Sequence, residues 1–260
     1  MTSWLISTDL DGTLLNHHNY EYQPVLPVLK QLEQLAIPVI LNSSKTFAEL
    51  ADWRQKLQLE QPVICENGGV IHLPGESSLL VGRDRNDILD ILHQLRNDLG
   101  WSFEGFADWT VEQVMQHTGL SHDEAARAKL RETTEPILWQ DGQPGLVVLQ
   151  KHLAEQGLQL QKGGRFYHVM AAHDKGQALK DLIERFALAL WGRNDFKLMA
   201  LGDGENDRSQ LEIADIAVVM PNAQQQYLTL NTTHQVYQAK QAAPFGWVEA
   251  VTHFILREGE

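Results

Sequence analysis

One stretch near the start of the chain constrains the fold more than any other. An apolar segment of strand length, residues 4–8, is followed by Asp9, Asp11 and Gly12. Alternate side chains of an extended strand point to the same side, so both aspartates can reach into one site. Open α/β sheets hold their sites beyond the carboxyl ends of the strands. The stretch therefore predicts either a reactive site at a strand end or an ordinary Asp-Gly turn.

The two-residue spacing suits a division of labour in phosphoryl transfer. Asp9 would attack phosphorus as the nucleophile, and Asp11 would give a proton to the leaving oxygen and later take one from water. Residues 9–15, DLDGTLL, resemble the first motif, DxDGTLL, of the haloacid dehalogenase superfamily of phosphohydrolases. The resemblance implies these two catalytic roles.

A helical pattern over residues 24–36 and a short apolar strand at 37–41 complete a strand-helix-strand unit. Such a unit implies a parallel strand pair, so both strands end at the same edge of the sheet. Ser43 and Ser44 lie at this edge, before a helix predicted at 47–59. They can cap that helix, or hold a phosphoryl group where the helix dipole favours anions. Ser43 matches the superfamily's second motif.

Beyond a third apolar stretch, the chain changes character. The turn Glu66-Asn67-Gly68-Gly69 is followed by a predicted hairpin through residues 73–76, and it resembles the turn of the subgroup that carries an inserted cap domain at this point. From Arg83 onward, helices and short strands mix. Helices are predicted at 84–99, 111–117, 121–132 and 144–156, and strands at 101–103, 136–139 and on both sides of Gly163-Gly164. The pattern predicts an α+β cap at 83–170 and a core formed by 1–82 and 171–260.

Parts of the predicted cap resemble mannosyl-3-phosphoglycerate phosphatases. The resemblance covers residues 118–120, 125–132, 135–136 and 163–168, and the tail at 243–247 shares it. A tight Gly-Gly hairpin would expose Arg165, whose guanidinium can bind a carboxylate in bidentate fashion, with His168 further along the strand. A surface salt bridge for Arg165 and a packed or solvated His168 are the alternatives. The resemblance implies that both residues bind substrate.

Lys175 precedes a helix predicted at 177–190. A lysine at a helix start is unfavourable for the helix dipole, so its presence calls for another explanation. Lys175 matches the superfamily's third motif, and its ammonium would offset the charge of Asp9 and of the bound phosphate.

A strand predicted at 196–201 ends in Gly202-Asp203-Gly204-Glu205-Asn206-Asp207, which matches the fourth motif, GDGxND. Mg²⁺ prefers oxygen ligands and keeps several waters or phosphate oxygens. The resemblance implies that the Asp9 carboxylate, the Asp11 main-chain carbonyl and Asp203 bind Mg²⁺ directly. Asn206 and Asp207 then support the metal or lie close to it. Four separate motifs, each at a predicted strand or helix end, favour this interpretation over unrelated Asp-Gly turns.

Composition excludes several classes of partner. The net charge of −13 argues against nonspecific binding to nucleic acid or to an anionic membrane. Cys65 is the only cysteine, so no intrachain disulfide can form, which fits a reducing cytoplasm. No apolar run approaches the length that spans a bilayer, and no export signal is evident. We therefore predict a cytoplasmic protein whose partner is a small molecule.

The sequence as a whole predicts an α/β protein: a Rossmann-like doubly wound parallel sheet core with an inserted α+β cap domain. Its expected function is Mg²⁺-dependent hydrolysis of mannosyl-3-phosphoglycerate, or of its glucosyl relative, through an aspartyl-phosphate. The sugar and the oligomeric state stay open at this point. One alternative is another sugar-phosphate phosphatase, such as one acting on sucrose phosphate. The other is a sugar-phosphate binding protein that no longer turns over, although the presence of all four motifs weighs against it.

Overall fold

The computed structural model describes residues 3–75, 78–163 and 165–257. The strands are β1 Trp4–Thr8, β2 Val39–Asn42, β3 Val63–Cys65, β4 Val70–His72, β5 Leu79–Leu80, β6 Phe103–Gly105, β7 Thr134–Trp139, β8 Leu158–Lys162, β9 Tyr167–Ala171, β10 Lys197–Gly202, β11 Ile216–Val219 and β12 Gln235–Gln238. The α-helices are α1 Leu26–Gln34, α2 Phe47–Leu57, α3 Arg85–Leu99, α4 Val111–Thr118, α5 His122–Ala128, α6 Gly142–Glu155, α7 Lys175–Trp191, α8 Arg208–Glu212 and α9 Phe245–Val251.

The larger sheet has eight strands in the order β12-β11-β10-β1-β2-β3-β4-β5. From β12 to β3 all neighbours are parallel, and β4 and β5 add two antiparallel strands at one edge. The chain runs from β1 to β2 and β3 on one side, and from β10 to β11 and β12 on the other. The strand order therefore reverses between β1 and β10, which is where open α/β sheets bind ligands.

Helices cover both faces of this sheet. Within β1, Trp4 and Ile6 pack with α1, α2 and α9 in one hydrophobic cluster, while Leu5 packs with α7 in a second. Every residue of β1 is buried. Burial on both faces explains why the central strands are apolar runs rather than alternating patterns. The predicted doubly wound α/β fold is confirmed.

A second, antiparallel sheet has the order β6-β7-β9-β8. Helices α3 and α6 pack against it in one hydrophobic cluster, and α4 and α5 contribute to another. This is the α+β arrangement expected of the cap, and we call this unit the cap. Strand β5 belongs to the large sheet and β9 extends to Ala171 in the small one. The limits 82/83 and 170/171 themselves stay a prediction.

Tertiary contacts shorten one predicted helix. The pattern at 121–132 predicts three turns, but α5 ends at Ala128. The main-chain amides of Glu132 and Thr133 instead donate to the carboxylate of Glu66. Two other predicted turns lie partly outside the described residues, at Glu76 and Gly164, although their flanking strands pair antiparallel as expected. No helix in the described ranges combines the length and the apolar character needed to cross a membrane.

Candidate active site

Strand register brings three of the sequence motifs together. Thr8, near the end of β1, pairs with Leu201 on one side and Leu41 on the other. The residues that follow these three strands therefore meet at one edge of the sheet. The main-chain amide of Asp9 also donates to the Leu201 carbonyl at 3.0 Å, which extends the pairing to the first aspartate.

Lys175 lies at the centre of the site and is fully buried. Its Nζ is 2.6 Å from Asp9 Oδ1 and 2.6 Å from Asp207 Oδ1. Burial alone would lower the pKa of Lys175, but the two carboxylates outweigh burial and raise it. Lys175 therefore stays positively charged although it is the first residue of α7, where the helix dipole disfavours a cation.

Three carboxylates surround a common point. Ligand oxygens of Asp9, Asp203 and Asp207 all lie within 4.8 Å of one another. Burial, reinforced by the neighbouring carboxylates, raises the pKa of Asp9 and of Asp203, although Lys175 opposes the rise. One ammonium does not neutralise three carboxylates, of which Asp9 and Asp207 are buried and Asp203 half-buried, so the donor set fits an additional cation that prefers oxygen, such as Mg²⁺.

Gly12 permits the close approach of the first and fourth motifs. Its φ is +77°, and a Cβ built there would lie 2.7 Å from Asp203 Oδ2. Any other residue would meet both a strained backbone and a steric conflict. The next residue, Thr13, has its Oγ1 3.5 Å from Asp203 Oδ1.

Asp207 has both oxygens engaged by the protein. Oδ2 accepts from the main-chain amides of Asp203 and Gly204 at 3.1 and 3.0 Å. Oδ1 accepts from Gln210 at 3.0 Å in addition to Lys175. These bonds hold the loop and the lysine in place. Asn206 donates instead to Asn67 Oδ1 at 3.2 Å, which ties the fourth motif to the turn after β3.

The two serines after β2 have different environments. Ser43 is 1% exposed, and its main chain bonds to Ile64 and Asn67, so it is fixed at the sheet edge. Ser44 is half-buried, and its carbonyl accepts from Arg131 of the cap at 2.7 Å. The residue that caps α2 is Thr46, which forms a capping box with Glu49. Capping therefore does not explain Ser43 or Ser44.

Asp11 has a partner that sequence reasoning missed. Its Oδ2 lies 2.8 Å from Lys45 Nζ, whereas its Oδ1 is buried and accepts no hydrogen bond from any described residue. Burial would lower the pKa of Lys45, but Asp11 and Glu49 raise it. The signal was present in the sequence, since Lys45, like Lys175, is a lysine close to a helix start, where a positive charge is unfavourable for the helix dipole.

The structure does not bring Arg165 or His168 into contact with the other predicted site residues. Arg165 is exposed and donates to the carbonyls of His117 and Thr118 at the end of α4. The Nδ1 of His168 is buried without a partner in the described chain. Burial, with a smaller effect of Arg131, lowers the pKa of His168 to about 3, so the ring is neutral.

Buried polar residues behind the site support it, and the sequence showed no sign of them. Trp247 donates to Thr8 Oγ1 at 3.1 Å, and Thr8 Oγ1 donates to the Asp9 carbonyl at 2.8 Å. Asn42 donates to the Lys175 carbonyl at 3.1 Å and to Gln210 Oε1 at 3.1 Å. These contacts orient the main chain that carries the nucleophile candidate and the lysine.

Glu66 joins the cap to this edge of the core. It is fully buried, and its carboxylate accepts from the amides of Glu132 and Thr133 at 2.7 and 3.0 Å and from Thr134 Oγ1 at 2.7 Å. Arg131, next along the chain, reaches Ser44. The sequence marked residues 66–69 as a turn. It did not indicate that the Glu66 carboxylate connects the core to the cap through hydrogen bonds.

Known proteins share this architecture. Protein 0175 of Thermoplasma acidophilum has a TM-score of 0.72 at 16% sequence identity, over 98% of this chain and 100% of that one. BT1666 of Bacteroides thetaiotaomicron, a haloalkanoate-superfamily phosphatase, has a TM-score of 0.69 at 20% identity, over 97% and 95%. The subclass IIB sugar phosphatase BT4131 has a TM-score of 0.67 at 16% identity, over 97% and 99%. At these identities the likeness establishes the fold.

The family follows from the sequence itself. The model of the haloacid dehalogenase-like hydrolase family matches residues 6–241, which include the end of β1 with Asp9 and Asp11 and the motifs after β2, at the start of α7 and after β10. The chain belongs to the haloacid dehalogenase-like hydrolases.

Proposed function

We propose that the protein is a Mg²⁺-dependent phosphatase that hydrolyses mannosyl-3-phosphoglycerate, or its glucosyl relative, to the glycosylglycerate and phosphate. The observation that carries the proposal is the pairing of the buried Lys175 ammonium with Asp9 at the strand-order reversal, with Asp203 beside it and Asp11 two residues along. This set provides a nucleophile, a fixed cation, oxygen ligands for a metal and a separate carboxylate for proton transfer.

The groups that would hold Mg²⁺ are the carboxylates of Asp9 and Asp203 and the main-chain carbonyl of Asp11. Asp207, with four donors on its two oxygens, supports them. Bound Mg²⁺ would supply positive charge that neutralises the Asp9 carboxylate and the phosphate. The raised pKa of Asp9 and Asp203 supports this assignment, because carboxylates in need of a counter-charge favour metal binding.

In the first step, an Asp9 oxygen attacks phosphorus while the bond from phosphorus to the leaving oxygen breaks. Asp11 gives its proton to that oxygen, and Lys175 and Ser43 hold the remaining phosphoryl oxygens. In the second step water attacks phosphorus, Asp11 takes the proton of the water, and the Asp9 carboxylate is released with inorganic phosphate. The buried Oδ1 of Asp11 supports its role, since no donor among residues 3–75, 78–163 and 165–257 competes for it.

Phosphate release across glycosyl-3-phosphoglycerates, sucrose phosphate, simple hexose phosphates and p-nitrophenyl phosphate tests the proposal. We expect the highest kcat/KM for a glycosyl-3-phosphoglycerate, loss of activity after chelation, and a phosphoryl adduct on Asp9 in quenched reactions. Asp9→Asn should abolish turnover without unfolding the protein. Full activity after exhaustive chelation, or an adduct on Ser43, would refute the mechanism.

The likeness to the sugar phosphatase BT4131 favours a second candidate of the same reaction class, a phosphatase for another sugar phosphate. The same panel separates the two, because that enzyme would prefer a sugar phosphate that has no carboxylate.

A further inference from the structure

A cavity of about 260 Å³ lies where the core faces the cap beside Asp11. Tyr20, Lys45, Glu49 and Trp53 line it from the core, and Glu124 and Arg127 line it from α5 of the cap. The cap is docked at its edge, because Thr46 Oγ1 donates to the Arg127 carbonyl at 3.0 Å. Drug-sized ligands occupy pockets of roughly 300–1,000 Å³, so this cavity suits a group of monosaccharide size.

Lys45 connects the cavity to the catalytic carboxylate. Lys45 lines the cavity, and its ammonium contacts Asp11 Oδ2 at 2.8 Å. The next carboxylate, Glu49, is 3.8 Å away, beyond hydrogen-bond distance. A lysine ammonium has three donors, so it can bind an anionic group of a ligand while it stays paired with Asp11.

We propose that Lys45 binds the glycerate carboxylate of the substrate and that the adjoining cavity holds its sugar. This proposal rests on the proposed function. In mannosyl-3-phosphoglycerate the phosphate is on C3 of the glycerate, the sugar on C2, and the carboxylate is C1. Asp11 protonates the leaving oxygen on C3. The Lys45 ammonium beside Asp11 is therefore within reach of the C1 carboxylate, two carbons away. The sugar on C2 then extends into the cavity.

The walls of the cavity suit a polyhydroxyl group. The rings of Tyr20 and Trp53 lie 6.4 Å apart at 33° and present an aromatic surface. Glu124 uses its Oε2 to cap α5 through Ser121, which leaves Oε1 for a ligand hydroxyl. Glu49 likewise uses Oε2 in the Thr46 capping box. Aromatic walls with a few fixed polar groups are typical of small-molecule sites.

Carboxylate recognition by Lys45 replaces the role expected for Arg165. The guanidinium of Arg165 is engaged by two main-chain carbonyls of the cap, whereas the Lys45 ammonium adjoins the proposed acid. The specificity cation is therefore on the core, two residues before α2, and the cap contributes the far wall.

The first experiment compares two substrates that differ only in the carboxylate: mannosyl-3-phosphoglycerate and the corresponding mannosylglycerol phosphate. We expect the wild type to prefer the first by about tenfold to a hundredfold in kcat/KM, as for a charge-assisted hydrogen bond. Lys45→Gln should reduce the ratio to about one, and Lys45→Arg should keep most of it. A loss of activity that arises because Asp11 loses its Lys45 partner affects both substrates alike, so it does not change the ratio of their kcat/KM values. Lys30→Gln, an exposed lysine on α1, is the control. An unchanged ratio in folded Lys45→Gln would overturn the proposal.

The second experiment tests the sugar wall with mannosyl-3-phosphoglycerate and 3-phosphoglycerate itself. Glu124→Gln should raise KM for the glycosylated substrate about tenfold, because its charge-assisted hydrogen bond to a sugar hydroxyl becomes a weaker, neutral one. The reaction of 3-phosphoglycerate should change less than about twofold on the same grounds. The substitution retains the capping box, since glutamine also serves at that position. Glu112→Gln, at the start of α4 and exposed, is the matched control. Equal KM changes for both substrates, or none, would contradict the assignment.

Calorimetric titration with mannosylglycerate, the proposed product, separates failure of this subsite from failure of the proposed function. If the wild type hydrolyses the glycosylphosphoglycerates but the ratios above do not move, the function stands and the subsite is wrong. If it hydrolyses none of them, the function is wrong. The subsite then stands only if mannosylglycerate binds the wild type and binding is lost in both Lys45→Gln and Glu124→Gln.

Discussion

Replacing Lys175 by methionine should destabilise the protein by an amount that depends on pH. Methionine has a similar length but no charge, so Asp9 and Asp207 lose the ammonium that lies 2.6 Å from each. Removing one partner of a buried ion pair typically costs about 3–5 kcal/mol of unfolding free energy. We expect a loss in this range near pH 8 in metal-free buffer, measured by urea denaturation.

The loss should shrink on acidification. The folded-state pKa of Asp9 and Asp203 is already raised above the value of an unfolded aspartate, and Lys175 is the group that opposes the rise. Without it, the folded state binds protons still more tightly than the unfolded chain, so stability falls as pH rises. Near pH 5 protonation removes most of the repulsion, and about 1–2 kcal/mol should remain from lost hydrogen bonds. Mg²⁺ should restore part of the stability near pH 8.

Lys180→Met is the matched control, because Lys180 is an exposed lysine on the same helix. It should change the unfolding free energy by less than about 0.5 kcal/mol. A loss for Lys175→Met that is the same near pH 5 and pH 8, or that Mg²⁺ leaves unchanged, would refute the electrostatic reasoning. It would indicate that Lys175 acts through packing of its aliphatic chain.

Three further predictions concern the surroundings of the site. Glu66→Gln should lower the unfolding free energy by roughly 1–3 kcal/mol, because the NH2 group of glutamine would face main-chain N–H donors. Hydrogen exchange at the amides of Glu132 and Thr133 should become faster. Unchanged exchange would argue against a role of Glu66 in holding the cap to the core. Gly12→Ala should lower the unfolding free energy by roughly 1–3 kcal/mol, measured by denaturation, because alanine is strained at the positive φ of residue 12. It should also weaken the activation by Mg²⁺, measured by metal titration. The metal-free wild type should lose the stability contributed by Asp9 and Asp203 as pH rises from about 4 through neutrality, and thermal scans with and without Mg²⁺ should then diverge.

Much of the core fold could be predicted because its signals are local. The apolar run of β1 ends where Asp9 begins, and a helical period followed by a second apolar run is enough to imply parallel strands that end at one edge. That rule predicted that Asp9 and Ser43 lie at the same edge, and the family resemblance implied that Asp203 joins them. Lys175 was noticed because a cation at a helix start is locally unfavourable, a conflict that a single sequence displays.

The sequence by itself therefore determined the sheet, and it predicted the inserted unit and the strand ends that carry the candidate site residues. Only the tertiary structure decided which side chains become partners: Lys175 and Asp9 are 166 residues apart, and Glu66 binds amides 66 and 67 residues away. In the tertiary structure Arg165 also donates hydrogen bonds to main-chain carbonyls of the cap, and Lys45 lies beside Asp11. The physical reason is that periodicity and turn chemistry act over a few residues. The choice of partner for a charged group depends on burial and on the packing of distant segments, which no local pattern encodes.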